Sequence, residues 1–373
     1  MSSITIFLVL LVVMRIADAS ILPLNKHEFK TAHGNETIPV YMRELYMLSR
    51  ETDATDIPFD SVRCFLEEAV EDPSPNFYKF NTSSIQKLKT KIIKKAYLNL
   101  YKRSPSARLL HSSDMSLPLQ KTRIYQVLPN RSLDEPRLHD QLHTIVVNAD
   151  VSGWQILDVT RAVHSWASSS PNLGLLVTTT VGDHQIHIDY VRRNQKPRDK
   201  QPILIVIYVD NKPEPILLYS LVSPHIIYLS AKQRKISHAL EEVRKTRKNK
   251  SKIDAEQCEM HDYFLNFEEQ GKDFIVAPVR YNAYQCRGKC AGHCQLPAQK
   301  YRTNYDKINT AVQSKPWLGD HIPQRSSKEE CCVPTSISDM WILRWTKTDE
   351  IVLQSFPNMI VTSCGCKQSD VDL

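Results

Sequence analysis

Apolar side chains along the chain follow two periods. In "IPVYMRELYMLSR" (residues 38–50), Val40, Tyr41, Leu45 and Leu48 recur at helical spacing and give one apolar face. The runs "AYLNLYK" (96–102), "RIYQVL" (123–128), "LHTIVVN" (142–148), "LGLLVTTT" (173–180) and "QPILIVIYVD" (201–210) read as strands set apart by Pro, Ser and Asn clusters. Between them, "WQILDVTRAVHSWASS" (154–169) places Val159, Val163 and Trp166 at helical intervals, and core packing accounts for Trp154 and Trp166. Residues 20–225 therefore read as mainly β with a few helices. A short helix follows in "ISHALEEV" (236–243), with Ile236, Ala239, Leu240 and Val243 on one face. The C-terminal part returns to strands in "DYFLNF" (262–267), "DFIVAP" (273–278), "MWILRW" (340–345), "EIVLQSF" (350–356) and "NMIVTS" (358–363). "TKTD" turns one strand into the next, and Ile308, Ala311 and Val312 form the apolar face of a helix in "NYDKINTAVQS" (304–314).

The first residues break this pattern. Ile4–Met14 is a predominantly apolar run, too short to span a bilayer roughly 30 Å thick at 1.5 Å per residue. Ala17 and Ala19 supply the small residues of a signal-peptidase site, so residues 1–19 read as a secretory signal and no membrane span is expected. N-x-Ser/Thr sequons at Asn35, Asn81, Asn130 and Asn249 agree with an extracellular glycoprotein. The formal charge of +7 lies upstream of residue 248, much of it clumped at 231–252. That clump carries no aromatic interleaving and no binding motif, so nucleic acid is not the expected partner.

Cysteine usage divides the chain. Of nine cysteines, Cys64 alone precedes residue 258; Cys258, Cys286, Cys290, Cys294, Cys331, Cys332, Cys364 and Cys366 crowd the end. In a secreted chain this density reads as a disulfide scaffold holding a domain too small to bury much core. "RKTRKNKSK" (244–252), with six basic and no apolar side chains, reads as a solvated linker between the two parts. Arg244 and Arg247 within it form R-x-x-R, the minimal site of a furin-type convertase, whose acidic pockets read two spaced arginines. Eight cysteines allow 105 pairings. Adjacent Cys331 and Cys332 should bond different partners. Cys364 and Cys366 share one strand face and can reach a pair such as Cys286 and Cys290. "CAGHC" (290–294) offers a rival register, and Cys290, His293 and Cys294 offer a zinc reading that needs a fourth ligand and reduced thiols.

"YNAYQCRGKC", "CCVPTSIS" and the terminal "CGC" resemble the mature domain of the transforming growth factor-β superfamily. "CEMHDYFLNF", "DFIVAP" and "TNYDKINTAV" place the likeness in its bone morphogenetic protein/growth-differentiation branch. "PVYMRELY", "FNTSSI", "AYLNLYKR", "GWQILDVTRAV" and "QPILIVIY" resemble that branch's prodomain. The resemblance implies a prodomain (20–247), mainly β with flanking helices. It implies a small disulfide-rich mature domain (248–373), a cystine knot with two long β-finger pairs and one helix. It implies a ring closed by Cys286–Cys364 and Cys290–Cys366, threaded by Cys258–Cys332, with Gly288 leaving room for the threading bond. Cys331 then bridges to a second copy, and Cys294 and Cys64 are surplus. The implied partners are type I and type II receptor serine/threonine kinases, a second copy of the chain, the chain's own prodomain and the convertase. No catalytic residue, metal or cofactor is implied. The family's convex finger positions fall here on Ala277, Ser338, Trp341 and Leu353. Its two concave-face tryptophan positions hold Gly271 and Phe274. A cystine-knot antagonist of such ligands is the rival reading, although those proteins generally lack this prodomain.

Overall fold

A computed structural model of the chain describes residues 29–210, apart from 31, 34–35, 52–56, 58, 69–75, 89–90, 104–118, 182–183, 186–188 and 194, together with 258–290 and 332–366. The signal segment, Asn35, the helix expected at 236–243, Arg244, Arg247, Asn249, Cys294, the helix expected at 304–314 and Cys331 lie outside the described residues.

In chain order the described elements begin with β1 (Ala32–His33), β2 (Glu36–Thr37), α1 (Val40–Glu51), β3 (Ser61–Leu66), β4 (Phe77–Tyr78), β5 (Lys91–Lys102) and β6 (Leu119–Gln126). There follow β7 (Asp140–Asn148), β8 (Gly153–Asp158), α2 (Thr160–Ser168), β9 (Leu175–Val181), β10 (His184–Gln185) and β11 (Ile203–Asp210). The C-terminal part holds β12 (Glu259–His261), β13 (Phe264–Asn266), β14 (Ile275–Ala277), β15 (Arg280–Asn282), β16 (Gln285–Arg287), β17 (Cys332–Trp345) and β18 (Glu350–Cys366).

Seven strands from both parts make one antiparallel sheet, in the order β14-β17-β18-β3-β11-β5-β8. Its centre explains the apolar run at 203–208. Ile203, Ile205 and Ile207 face one cluster while Leu204, Val206 and Tyr208 face another, so β11 is covered on both sides and has no polar alternation. On one face lies α1, whose Tyr41, Met42, Leu45 and Tyr46 are buried against the sheet. On the other, a second sheet, β10-β9-β6-β7 with β4 paired to β9, closes a sandwich with α2. Lys102 is sealed between the sheets. Its ammonium donates to Gln120 Oε1 at 3.0 Å, the Asn148 carbonyl at 3.0 Å and the Ala149 carbonyl at 2.9 Å, and burial lowers its pKa.

Several elements differ from the sequence reading in detail. The buried stripe of α1 runs through 41, 42, 45, 46 and Ser49, leaving Val40 and Leu48 only half-buried. "WQILDVTRAVHSWASS" splits into a strand and a helix. The Asp158 carboxylate accepts the Thr160 N–H at 2.9 Å and Thr160 Oγ1 accepts the Ala96 N–H at 3.0 Å, which starts α2 at Thr160. Trp166 is core, whereas Trp154 is half-buried and meets Tyr101 edge-on at 5.4 Å. "EIVLQSF" and "NMIVTS" are one strand, β18, which passes an irregularity where Asn358 has φ 56° and donates its N–H to Asp339 at 3.0 Å. "SVRCFL", absent from the predicted runs, forms β3 at the middle of the large sheet.

Candidate functional site: the knot and the covered fingers

Three disulfides pin the C-terminal part. Cys258 bonds Cys332, Cys286 bonds Cys364 and Cys290 bonds Cys366, with Cα–Cα separations of 5.4, 5.6 and 5.6 Å. Cys286 lies on β16, and Cys364 and Cys366 stand two residues apart on β18, so they share one strand face and reach the two ends of "CRGKC". The sulfurs of Cys258, Cys290 and Cys366 lie within 4.8 Å of one another, which puts the Cys258–Cys332 bond against the ring closed by the other two. That bond spans 74 positions, a constraint of about 4.5 kcal/mol in the chain-entropy account. Gly288, inside the ring, has φ 132°, a conformation that favours glycine. Gly365 was not singled out by sequence, though it sits between two bonded cysteines; a Cβ there would lie 2.8 Å from the Thr335 methyl. Since Cys290 is held in a disulfide, it has no thiolate to offer the zinc site considered above. Cys64 is an unbonded thiol, buried under α1, and burial pushes its pKa well up.

β17 and β18 form the long finger pair beyond the knot, with β14 alongside. Val276, Ala277, Trp341, Leu343, Trp345, Ile351 and Leu353 line one face of it, the face that carries the positions the resemblance marks as convex, and all belong to the cluster beneath α1. Phe29, Ile38, Tyr41, Met42, Leu45, Tyr46 and Phe59 cover them from the N-terminal part. Phe59 meets Trp341 edge-on at 5.5 Å, and the buried Trp341 indole N–H has no hydrogen-bond acceptor among the described residues. Of the four convex positions named from sequence, the fold thus gathers Ala277, Trp341 and Leu353 under one cover. Ser338 stands outside that cluster, half-buried where the β17–β18 register shifts. Phe274 is 40% exposed and Gly271 turns the chain at φ 68°. The opposite face of the fingers packs Leu265, Phe267, Ile275, Tyr281, Ile342, Met359 and Val361 around the knot cysteines.

The N-terminal part also occupies both edges of the finger sheet. The Lys30 N–H donates to the Val276 carbonyl at 3.0 Å on the β14 side, and its ammonium reaches Glu268 at 2.8 Å and the Asp273 carbonyl at 3.1 Å. On the β18 side, β3 adds a full strand: Phe65, Cys64, Arg63, Val62 and Ser61 pair with Glu350, Ile351, Val352, Leu353 and Gln354. Arg63 donates to Glu350 at 2.6 Å, with both side chains largely withdrawn from solvent. Thr348 donates to the other Glu350 oxygen at 2.8 Å. Arg344, opposite Val352, lies beside them; burial and then the Arg63 guanidinium draw it below the ordinary arginine value, against the pull of Glu350. Sequence reasoning missed Lys30, Arg63 and Glu350. Lys30 precedes the first strand, Arg63 interrupts a six-residue one and Glu350 only opens β18, so none carries a periodic signal, and their partners lie hundreds of positions away.

Of the two sequons among the described residues, both asparagines are exposed. Asn81 accepts the Ser83 N–H at 3.2 Å, and Asn130 sits in a turn with φ 58°. Among the described residues no helix is long and apolar enough to cross a membrane.

A knotted finger domain joined to a β-rich N-terminal part that covers it is the architecture of a growth-factor precursor. The family model described as Transforming growth factor beta like domain matches residues 257–366, and that described as TGF-beta propeptide matches residues 20–207. The chain belongs to the transforming growth factor-β family and is a non-enzymatic growth-factor precursor of the bone morphogenetic protein-like kind. Among its relatives, bone morphogenetic protein 4 of Mus musculus is 25% identical over 371 residues, covering 88% of this chain and 81% of its own length. Bone morphogenetic protein 4 of Suncus murinus is 27% identical over 365 residues, with the same coverage.

Proposed function

We propose that the chain is secreted, cut after Arg247 by a furin-type convertase, and released as a mature domain of residues 248–373. Two copies join through Cys331 and bring together type I and type II receptor serine/threonine kinases, which signal through SMAD-type effectors. The observation that carries this reading is the burial of Ala277, Trp341 and Leu353 beneath the chain's own N-terminal part. The apolar patch is stabilised by its cover although the Trp341 indole N–H is left without an acceptor among the described residues, and once uncovered it fits a partner's apolar surface bearing a hydrogen-bond acceptor. Phe274, already partly exposed and outside the covered cluster, offers an apolar anchor to the second receptor class. Asn35, Asn81, Asn130 and Asn249 carry glycans in this reading, and Cys294 lies outside the knot.

A SMAD-reporter cell line tests it. Conditioned medium containing the wild-type protein should activate the reporter, and the Arg247→Ala chain should be secreted uncut and activate weakly. Cys331→Ser should run at monomer size on non-reducing gels. Suppression of an added ligand in place of activation would replace this reading with the antagonist one.

A further inference from the structure

The edge of β18 raises a question of selectivity. Backbone pairing at a sheet edge accepts any extended segment, so hydrogen bonds alone do not select β3. On the convex face, Ile351 and Leu353 meet Val62, Cys64 and Leu66, contacts that many apolar strands could supply. The opposite face differs. There Glu350 is 1% exposed, and a carboxylate so withdrawn from water is strongly destabilising unless a cation reaches it. Arg63 lies opposite Val352, two positions from Glu350 and on its face, so its guanidinium reaches the carboxylate diagonally. A one-residue slip of β3 would turn Arg63 into the apolar cluster with Tyr41 and Trp341 and leave Glu350 with only Thr348 and the nearby Arg344 among the described residues.

We propose that the Arg63–Glu350 ion pair is the selectivity key between the two halves of the molecule: the Glu350–Gln354 edge admits an extended strand with a guanidinium between apolar neighbours, which is the chain's own β3, and rejects strands lacking that charge. The neighbouring groups make the key asymmetric. Without Arg63, Glu350 keeps Thr348 and the nearby Arg344. Without the Glu350 charge, Arg63 and Arg344 face each other with no anion between them. Loss of the Glu350 charge is therefore the more damaging, and a strand without the guanidinium is penalised by leaving the buried Glu350 one cation short. Selection matters only once the halves are separate chains, so this inference rests on the proposed cleavage; the exchange measurement below does not.

Amide hydrogen exchange on the intact, uncut precursor reads the key directly. Protection of residues 350–354 should fall ~100-fold or more in Glu350→Gln and ~10-fold in Arg63→Gln, and the charge-swapped pair Arg63→Glu/Glu350→Arg should recover most of the loss. After convertase cutting, size-exclusion chromatography should find the prodomain retained by the wild type and the swap, and lost from Glu350→Gln. If cutting fails, the exchange result still stands or falls alone. Should Glu350→Gln not be secreted, Arg63→Lys, which keeps the charge but loses the forked donor, must show protection between wild type and Arg63→Gln. Unchanged protection in the single variants, or a swap no better than the worse single variant, overturns the proposal.

Discussion

At Gly365 the room for a Cβ is already taken by the Thr335 methyl, 2.8 Å from where it would stand. Thr335 is β-branched and its hydroxyl is held by Ser363 at 2.6 Å, so it has little freedom to turn away. Gly365→Ala should destabilise the knot region by ~1–2 kcal/mol, and Thr335→Ser in the same chain should recover most of it, as read by thermal unfolding of secreted protein. Lys102 is a different kind of commitment. Lys102→Met keeps the length of the side chain but strands Gln120 Oε1 and two backbone carbonyls between the sheets. A loss of ~3 kcal/mol or more in denaturant unfolding is expected, and Lys102→Arg should be less harmful. Single residues were unevenly legible in the sequence. The bonded cysteines are legible through the family resemblance, helped by the two-residue spacing that sets Cys364 and Cys366 on one face of β18, whereas Lys102, within "NLYKR", gives no sign that it is sealed in.

Among the elements, α1 acts as a cover and α2 as a brace. Met42 is fully buried, facing Trp341 and its neighbours from within the same cluster. Met42→Ala should weaken the cover by ~2–4 kcal/mol, and on the proposed function the uncut precursor should then bind receptor ectodomain more tightly than the uncut wild type. At the start of α2, burial pushes the Asp158 carboxyl up, but hydrogen bonds from Thr160 and Lys95 outweigh it and hold it below the ordinary aspartate value. A carboxylate depressed on folding stabilises at neutral pH and loses that contribution as acid protonates it. Thermal stability of the wild type should therefore fall on acidification below the ordinary aspartate range, and Asp158→Asn should be less stable at neutral pH with a flatter acid limb. Most strands could be read from their apolar runs because burial on one or both faces leaves a period in the sequence. β3 escaped because Ser61 and Arg63 break up its six residues, and its pairing with β18 depends on contacts no local pattern encodes.

For the whole molecule, the large sheet makes one unit of two parts that differ in composition, one held by a hydrophobic core and the other by disulfides. Arg63 and Glu350 are 287 positions apart in the chain. A ribosome finishes β3, β5 and β11 long before β18 emerges. The N-terminal part can bury its own core between two sheets while β3 waits with one edge unpaired. That waiting edge is a template: the last strand made is laid against one of the first, and its cysteines are placed on one face as it settles. Supplied without the N-terminal part, residues 248–373 would present a long β18 with an open edge and seven apolar side chains on one finger face, which favours association with other copies over correct disulfide pairing. The order of synthesis thus becomes part of the folding instruction, with the N-terminal part serving as the mould for the strand that follows it.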